Sequence, residues 1–271
     1  MLYVSDPGAG SVFIFSYPAG SADGQLANLP QPTGLCVDKS GDVWVVESSG
    51  ALVVKFAHGG KKAIASRSVT GAFNLFGCAV NASTGTLAVT ALGGPSGGSG
   101  IWVFAPGNKT PKTYTDPSLQ SAYFDAYDTA GNLFVDGLDA SGNFALFELP
   151  QGGSKLQAIT VSQSVGFPGG VQWDGQYLAV GDQYYNKAHA SAVYQFSIAG
   201  STATLHGTTV LKKTCDVMQF GLSAAGTKPE GTLIAPDDCA QNAGFYNYPS
   251  GGAPTKRLTG FEYPVAAVVS P

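Results

Sequence analysis

A chain of 271 residues with 12% charged residues, a net charge of -4, 37 Gly and 16 Pro reads as an all-β protein rich in tight turns. Its longest basic run is Lys-Lys, which excludes a nucleic-acid footprint, and apolar segments of five to seven residues are too short to span a bilayer. Low charge and an even count of four Cys point to a secreted or periplasmic protein whose leader has been removed.

One short element recurs along the chain: "LYVSD" at Leu2, "VWVVE" at Val43, "LAVTA" at Leu87, "LFVDG" at Leu133, "LAVGD" at Leu178 and "LIAPD" at Leu233. Apolar residues at its first and third positions give the period of two expected of a strand. Successive starts differ by 41, 44, 46, 45 and 55 residues, a spacing that fits a unit of several short strands. Before most copies stands another strand pattern: "QPTGLCVD" from Gln31, "FPGGVQWD" from Phe167, and more loosely "LFGCAVN" and "YFDAYD". Asp, Asn and Gly connections such as "DKSGD" and "NASTG" join the two as hairpins. A third strand follows, carrying Phe15, Phe56, Phe104, Phe147, Phe196 or Tyr246 shortly before a turn Gly or Asn. The fourth, rich in Lys and Thr, has the weak patterning of a solvated edge.

The first copy, "LYVSD", has no strand before it. The tail supplies one, since "YPVAAVVS" (Tyr263 to Ser270) aligns with "QPTGLCVD", Pro264 on Pro32 and Val269 on Val37. The expected fold is therefore a single all-β domain, a six-bladed β-propeller of four-stranded antiparallel blades closed by the C-terminal strand pairing with the N-terminal blade. The expected blades are 1–30 plus 262–271, 31–70, 71–118, 119–163, 164–213 and 214–261. An open β-sandwich is the competing fold. Buried Leu and Val of the second strands, with Trp44, Phe134 and Trp173, are the expected packing between blades.

"P-x-G-x-x-V-D" followed by "G-[DN]-[VL]-[WF]-V" resembles NHL-type and SMP-30/gluconolactonase-like six-bladed propellers, and the resemblance covers the whole chain. The segments "GNLFVDG" and "GFPGGVQWDG" are also similar to secreted bacterial repeat proteins. Such propellers include binding modules, lyases and lactonases, so the resemblance implies fold more than chemistry.

Antiparallel pairing puts the starts of first strands beside the ends of second strands, at one mouth of a central channel. At second-strand ends fall Asp6, Glu47, Asp136, Asp139, Asp182, Asp237 and Asp238, and at first-strand starts Asp125, Asp216 and Glu262. The aromatics Phe76, Tyr123, Phe124, Phe167, Tyr184, Tyr185 and Tyr263 join them. Asp38, Asp42, Asp128 and Asp174 belong to turns at the opposite mouth. One reading makes Asp6, Glu47, Asp182 and Asp237 repeated acceptors for backbone N–H groups of neighbouring loops. The other makes the mouth a site for a divalent cation such as Ca²⁺, or for a small polar, sugar-like or protein ligand. Ligand-binding candidates are Asp6, Glu47, Asp125, Asp182, Asp216, Asp237, Asp238, Phe76, Phe124, Phe167 and Tyr184. Metal candidates are Glu47, Asp182 and Asp237.

The lyases and paraoxonase-like lactonases that the fold resembles imply histidines at this mouth. His58 falls in an outer turn, His189 in a loop and His206 in an outer strand. Calcium-dependent sugar lactonases imply a Glu, an Asn and an Asp near the axis; Glu47 and Asp182 or Asp237 fit, with no matching Asn. The functional expectation is a secreted, monomeric binding module, with a metal-assisted hydrolase or lactonase as the alternative. Cys215 and Cys239 lie nearly opposite each other in one hairpin and are disulfide candidates. Cys36 and Cys78, on neighbouring inner strands, are expected to be buried free thiols.

Overall fold

Strands form where apolar residues alternate or run together between turns built on Gly, Asp and Asn. The structure, a computed structural model, describes residues 1–94, 99–187, 190–223 and 231–271. In chain order the first strands are β1 (Leu2–Asp6), β2 (Ser11–Phe15) and β3 (Ala22–Ala27). They are followed by β4 (Pro32–Val37), β5 (Val43–Glu47), β6 (Leu52–Phe56) and β7 (Ala63–Ser68). Next come β8 (Phe73–Val80), β9 (Leu87–Gly93), β10 (Gly100–Phe104) and β11 (Lys112–Tyr114). The middle of the chain gives β12 (Ser121–Tyr127), β13 (Leu133–Leu138), β14 (Phe144–Leu149) and β15 (Gln157–Val161). Then follow β16 (Pro168–Trp173), β17 (Leu178–Asp182), β18 (Ser191–Ala199) and β19 (Thr202–Leu211). The last are β20 (Gly221–Leu222), β21 (Gly231–Asp237), β22 (Asn242–Tyr248), β23 (Lys256–Thr259) and β24 (Ala266–Val269).

Four sheets are antiparallel and four-stranded: β24-β1-β2-β3, β4-β5-β6-β7, β8-β9-β10-β11 and β20-β21-β22-β23. The tail does pair with the head, with Leu2 opposite Val269 and Ser5 opposite Ala266. The fifth sheet departs from the expected pattern. Its eight strands are two four-stranded meanders, β12 to β15 and β16 to β19, joined where β15 and β19 pair in parallel. The cause is the length of β18 and β19, nine and ten residues, whose hairpin reaches the neighbouring edge strand. That hairpin also takes up part of the 55-residue spacing between Leu178 and Leu233.

Second strands are buried on both faces; every residue of β1, β5 and β17 is buried. They therefore read as apolar runs ending in one acid. Outer strands such as β3 and β7 are mostly exposed and carry polar side chains. First strands touch their neighbours in turn, β4 on β8, β8 on β12, β12 on β16, and β20 on β24, which touches β4. Gly170 donates its N–H to the Met218 carbonyl at 2.7 Å, joining the β16 strand to the chain entering β20. Glycine permits this convergence. A Cβ on Gly34 would collide with the Phe76 carbonyl, and one on Gly77 would lie 2.8 Å from the Tyr123 carbonyl. Hydroxyls fasten the same seam: Ser5 donates to the Thr33 carbonyl at 2.6 Å and Thr90 to the Tyr123 carbonyl at 2.5 Å.

Two expectations are corrected. Cys36 and Cys78 are joined as a disulfide, their Cα atoms 5.7 Å apart. Each faces the other's strand across the seam, so close approach of β4 and β8 brings the sulfurs together. Trp44 and Phe134 are buried between sheets as expected, but Trp173 is only half-buried and borders a cavity. The predicted Cys215–Cys239 bridge is present.

Val135, with no exposed surface, packs among Ala79, Leu133 and Phe147. Val135→Asp places an uncompensated charge there and is expected to leave no folded protein, measured as loss of soluble expression and of a cooperative melt.

Candidate functional site

The acids at the second-strand ends first do structural work. Asp6 accepts N–H bonds from Ala9, Glu262 and Tyr263 at 3.1, 2.7 and 2.9 Å. Asp182 accepts from Phe167 and Tyr184, at 3.2 and 3.0 Å, and from the Tyr194 hydroxyl. Asp237 takes the N–H groups of Cys215, Asp216 and Ala240. Glu47 accepts one, from Gln31, and burial raises its carboxyl above the ordinary range. Where the fifth strand position is Ala91 or Gly137, the fourth takes over: Thr90 Oγ1 accepts from Gly77 and Asp136 from Phe124. Each acid thus ties the start of a first strand to the end of its second.

This geometry does not gather a metal centre from Glu47, Asp182 and Asp237, which sit on three sheets. Among the described residues, the only group of three potential ligands within 4.8 Å is Cys215, Asp237 and Cys239, and its cysteines are oxidised to a disulfide. Calcium therefore does not fit the expected triad.

Aromatic side chains form a continuous arc on the same mouth. Phe76 meets Tyr123 at 5.0 Å and Phe124 at 5.2 Å, Tyr123 meets Phe167 at 5.4 Å, and Phe167 meets Tyr184 at 5.3 Å. Most of these contacts are edge-to-face, a favourable ring geometry. Beside the arc lies a cavity of about 220 Å³, walled by Phe76, Phe124, Met218 and Tyr263 and edged by Gln31, Thr33, Ser48 and Asn74.

The floor of that cup is Gln219, which reasoning from the sequence missed. Its side chain crosses the hub from the entry to β20 to β4. Nε2 donates to the Leu35 carbonyl at 2.9 Å, and Oε1 accepts the Leu35 N–H at 3.2 Å. Gln219 is also the one described residue bordering both the cup and a lower cavity of about 670 Å³. Counting back from the second-strand pairing puts it in register with Gly34, Gly77 and Gly170, where three of the other copies hold no side chain, and with Phe124 and Ala266 in the remaining two. That contrast was the available signal.

Asp125 is corrected in place. It does not stand at the acidic mouth but pairs opposite Val135 near the far end of β12, bordering the lower cavity. Counted back from the turn, it occupies the position of Leu35, Cys78 and Val171. Both carboxylate oxygens are buried without a hydrogen-bond partner, and burial pushes the group up to about 8.

Asp216 and Asp238 do lie at the expected mouth. Burial, then repulsion from Asp238 and Asp237, pushes Asp216 up to about 7. Burial also raises Asp238, against the Tyr263 hydroxyl within hydrogen-bonding reach. Asp139 caps its own exposed hairpin turn through Ser141 and Asn143. Asp38, Asp42, Asp128 and Asp174 cap turns at the opposite mouth, with Lys55 bridging Asp38 and Asp42 at 2.7 and 2.8 Å. No described histidine stands at the cup: His58 Nδ1 meets Ser270 Oγ at 2.6 Å and His206 stacks on Tyr177. His189 lies outside the described residues.

Residues 29–56 match the NHL repeat model. No curated protein matches the sequence. Among solved structures, the chain is similar to one in a nidogen/laminin complex, with a TM-score of 0.77, 14% identity, and coverage of 100% of this chain and 98% of that one. It is also similar to hydrazine synthase of Kuenenia stuttgartiensis, with a TM-score of 0.68, 13% identity, and coverage of 99% and 86%. Virginiamycin B lyase from Staphylococcus aureus, an inactive variant with quinupristin, gives a TM-score of 0.63, 12% identity, and coverage of 92% and 80%. The chain shares the β-propeller fold of these structures, and residues 29–56 are similar to one NHL repeat.

Because Asp125 holds a proton in the folded state up to about pH 8 that it releases near 3.8 once unfolded, stability falls as pH rises through that window and levels above it. Asp125→Leu, the residue at the matching position 35, is expected to raise stability at pH 8 by several kcal/mol and make the pH dependence shallower, read from urea unfolding at pH 5 and pH 8. Gln219→Ala should cost about 2 kcal/mol in the same assay, because it strands both Leu35 backbone groups.

Proposed function

We propose that this chain is a six-bladed, secreted propeller that works as a binding module, with the aromatic cup taking a small polar ring ligand of saccharide type. The observation carrying this reading is the arc from Phe76 through Tyr123 and Phe167 to Tyr184, flanking a cup whose rim offers amides and hydroxyls. Aromatic faces take the apolar side of a sugar ring, and Gln31, Thr33, Ser48 and Asn74 supply donors and acceptors for its hydroxyls. A volume of about 220 Å³ is below that of pockets for drug-sized ligands, which favours a single ring.

Binding without turnover is supported by three of the mouth acids being engaged by the backbone. Asp6, Asp182 and Asp237 each engage at least two backbone N–H groups, so these oxygens are held by the fold and not turned to a substrate. Two disulfides suit an oxidising, extracellular setting. The likeness to a chain of a nidogen/laminin complex supports a protein as the other class of ligand.

Titration calorimetry against a panel of mono- and disaccharides should find saturable binding, weakened about tenfold by Phe76→Ala and by Tyr184→Ala. Turnover of sugar lactones or esters, or affinity for every sugar unchanged in both variants, would overturn the proposal.

A further inference from the structure

Below the hub, one buried acid has nothing in the fold bound to it. Among the described residues, Asp125 is the only carboxylate with both oxygens buried and without a hydrogen-bond partner. Glu47 and Asp136 each leave one oxygen in that state, and the other accepts a backbone N–H. Asp125 is 5% exposed and stands in the wall of the lower cavity. A buried carboxylate without donors is costly, and the architecture does not require this one, since Leu35, Cys78 and Val171 hold the matching positions on β4, β8 and β16.

The cavity around it has the size and lining of a ligand site. Its volume of about 670 Å³ lies in the range of roughly 300–1,000 Å³ usual for small-molecule pockets. Apolar walls come from Leu35, Val37, Val80 and Val171, and aromatic ones from Tyr127 and Trp173. Trp173 Nε1 is a second buried polar atom without a partner. The acids along the lining are Asp38, Asp125 and Asp128, against one lysine, Lys39. Lys55 is shared between Asp38 and Asp42, so among the described residues no side-chain ammonium pairs with Asp125.

We propose that the lower cavity binds a small primary amine in its protonated form, the ammonium paired with Asp125 and the hydrocarbon body lying on the apolar walls. An ammonium offers three N–H donors and no acceptor, which answers two carboxylate oxygens that have no donor. Pairing would also draw the Asp125 carboxyl back down from where burial has pushed it. The rings of Tyr127 and Trp173 add faces favourable to a cation. No hydrogen bond fixes the Asp125 side chain, so its carboxylate is free to turn toward the ligand. The site lies across Gln219 from the aromatic cup and does not depend on the saccharide reading.

Hexylamine is the probe and hexanol its uncharged counterpart. Titration calorimetry on the full, oxidised chain at neutral pH should find a saturable hexylamine site, with hexanol weaker by at least about tenfold. Asp125→Asn and Asp125→Leu should each weaken hexylamine by at least about tenfold, and Asp125→Leu should bring the two probes to similar affinity. Hexylamine should also change the tryptophan emission of the parent. Trp173→Phe should remove that change, because Trp44 and Trp102 are buried and lie outside the cavity lining.

Leucine fills the matching position on β4, so Asp125→Leu is expected to fold at least as well as the parent, and a cooperative melt verifies it. No saturable hexylamine binding, or equal affinity for hexanol, overturns the ammonium site. Affinity unchanged in both Asp125 variants, or an emission change that survives Trp173→Phe, puts the amine elsewhere and overturns it as well. Saccharide binding without amine binding would leave the cup standing, and the reverse would leave the lower site standing.

Discussion

The close approach of the first strands at the hub is the constraint on which the rest depends. Strands β4, β8, β12, β16 and β24 carry their backbones to within contact of a neighbour, and the space allows no side chain at Gly34, Gly77 or Gly170. That requirement explains small residues in the middle of strands, where glycine otherwise weakens a sheet. It also explains why a disulfide forms between β4 and β8, and why hydroxyls on Ser5 and Thr90 reach carbonyls of the next strand.

Bringing strand starts together at one end leaves their N–H groups without sheet partners. The chain answers with an acid or hydroxyl at the end of each second strand. Asp6, Asp182 and Asp237 do this from the fifth position, Thr90 and Asp136 from the fourth. A crowd of carboxylates at one mouth is therefore mostly a consequence of architecture. It resembles a catalytic funnel only while the hydrogen bonds are unknown.

The residues that break the repeat are the ones the architecture does not account for. Gln219 fills a position that is glycine in three other copies and closes the channel into an upper cup and a lower cavity. Asp216 and Asp238 stand beside a structural acid, each with one buried oxygen that accepts no hydrogen bond. Asp125 stands where other copies hold Leu35, Cys78 or Val171, a buried acid among apolar equivalents. The arc of Phe76, Tyr123, Phe167 and Tyr184 runs along the meanders that begin with β8, β12 and β16. Symmetry supplies the scaffold, and departures from it supply the surface.

The sequence by itself determined the strands and their order. Leu2, Val43, Leu87, Leu133 and Leu178 each begin a second strand, and the tail pairs with the head in the register read from Val269 and Val37. Periodicity and turn residues are local, so they survive in one dimension. The repeated role of Asp6, Asp182 and Asp237 and the Cys215–Cys239 bridge were legible too, because hairpin pairing alone brings those groups together. Only the tertiary structure decided what happens between sheets. The Cys36–Cys78 bond, the joining of β15 to β19, the reach of Gln219 to Leu35 and the burial of Asp125 all depend on distances between segments far apart in the chain. The position of Asp125 along its strand was legible, since it stands three residues before the turn acid Asp128 as Leu35 stands before Asp38. Contacts across the hub are set by how closely backbones converge, and no local pattern of residues records that distance.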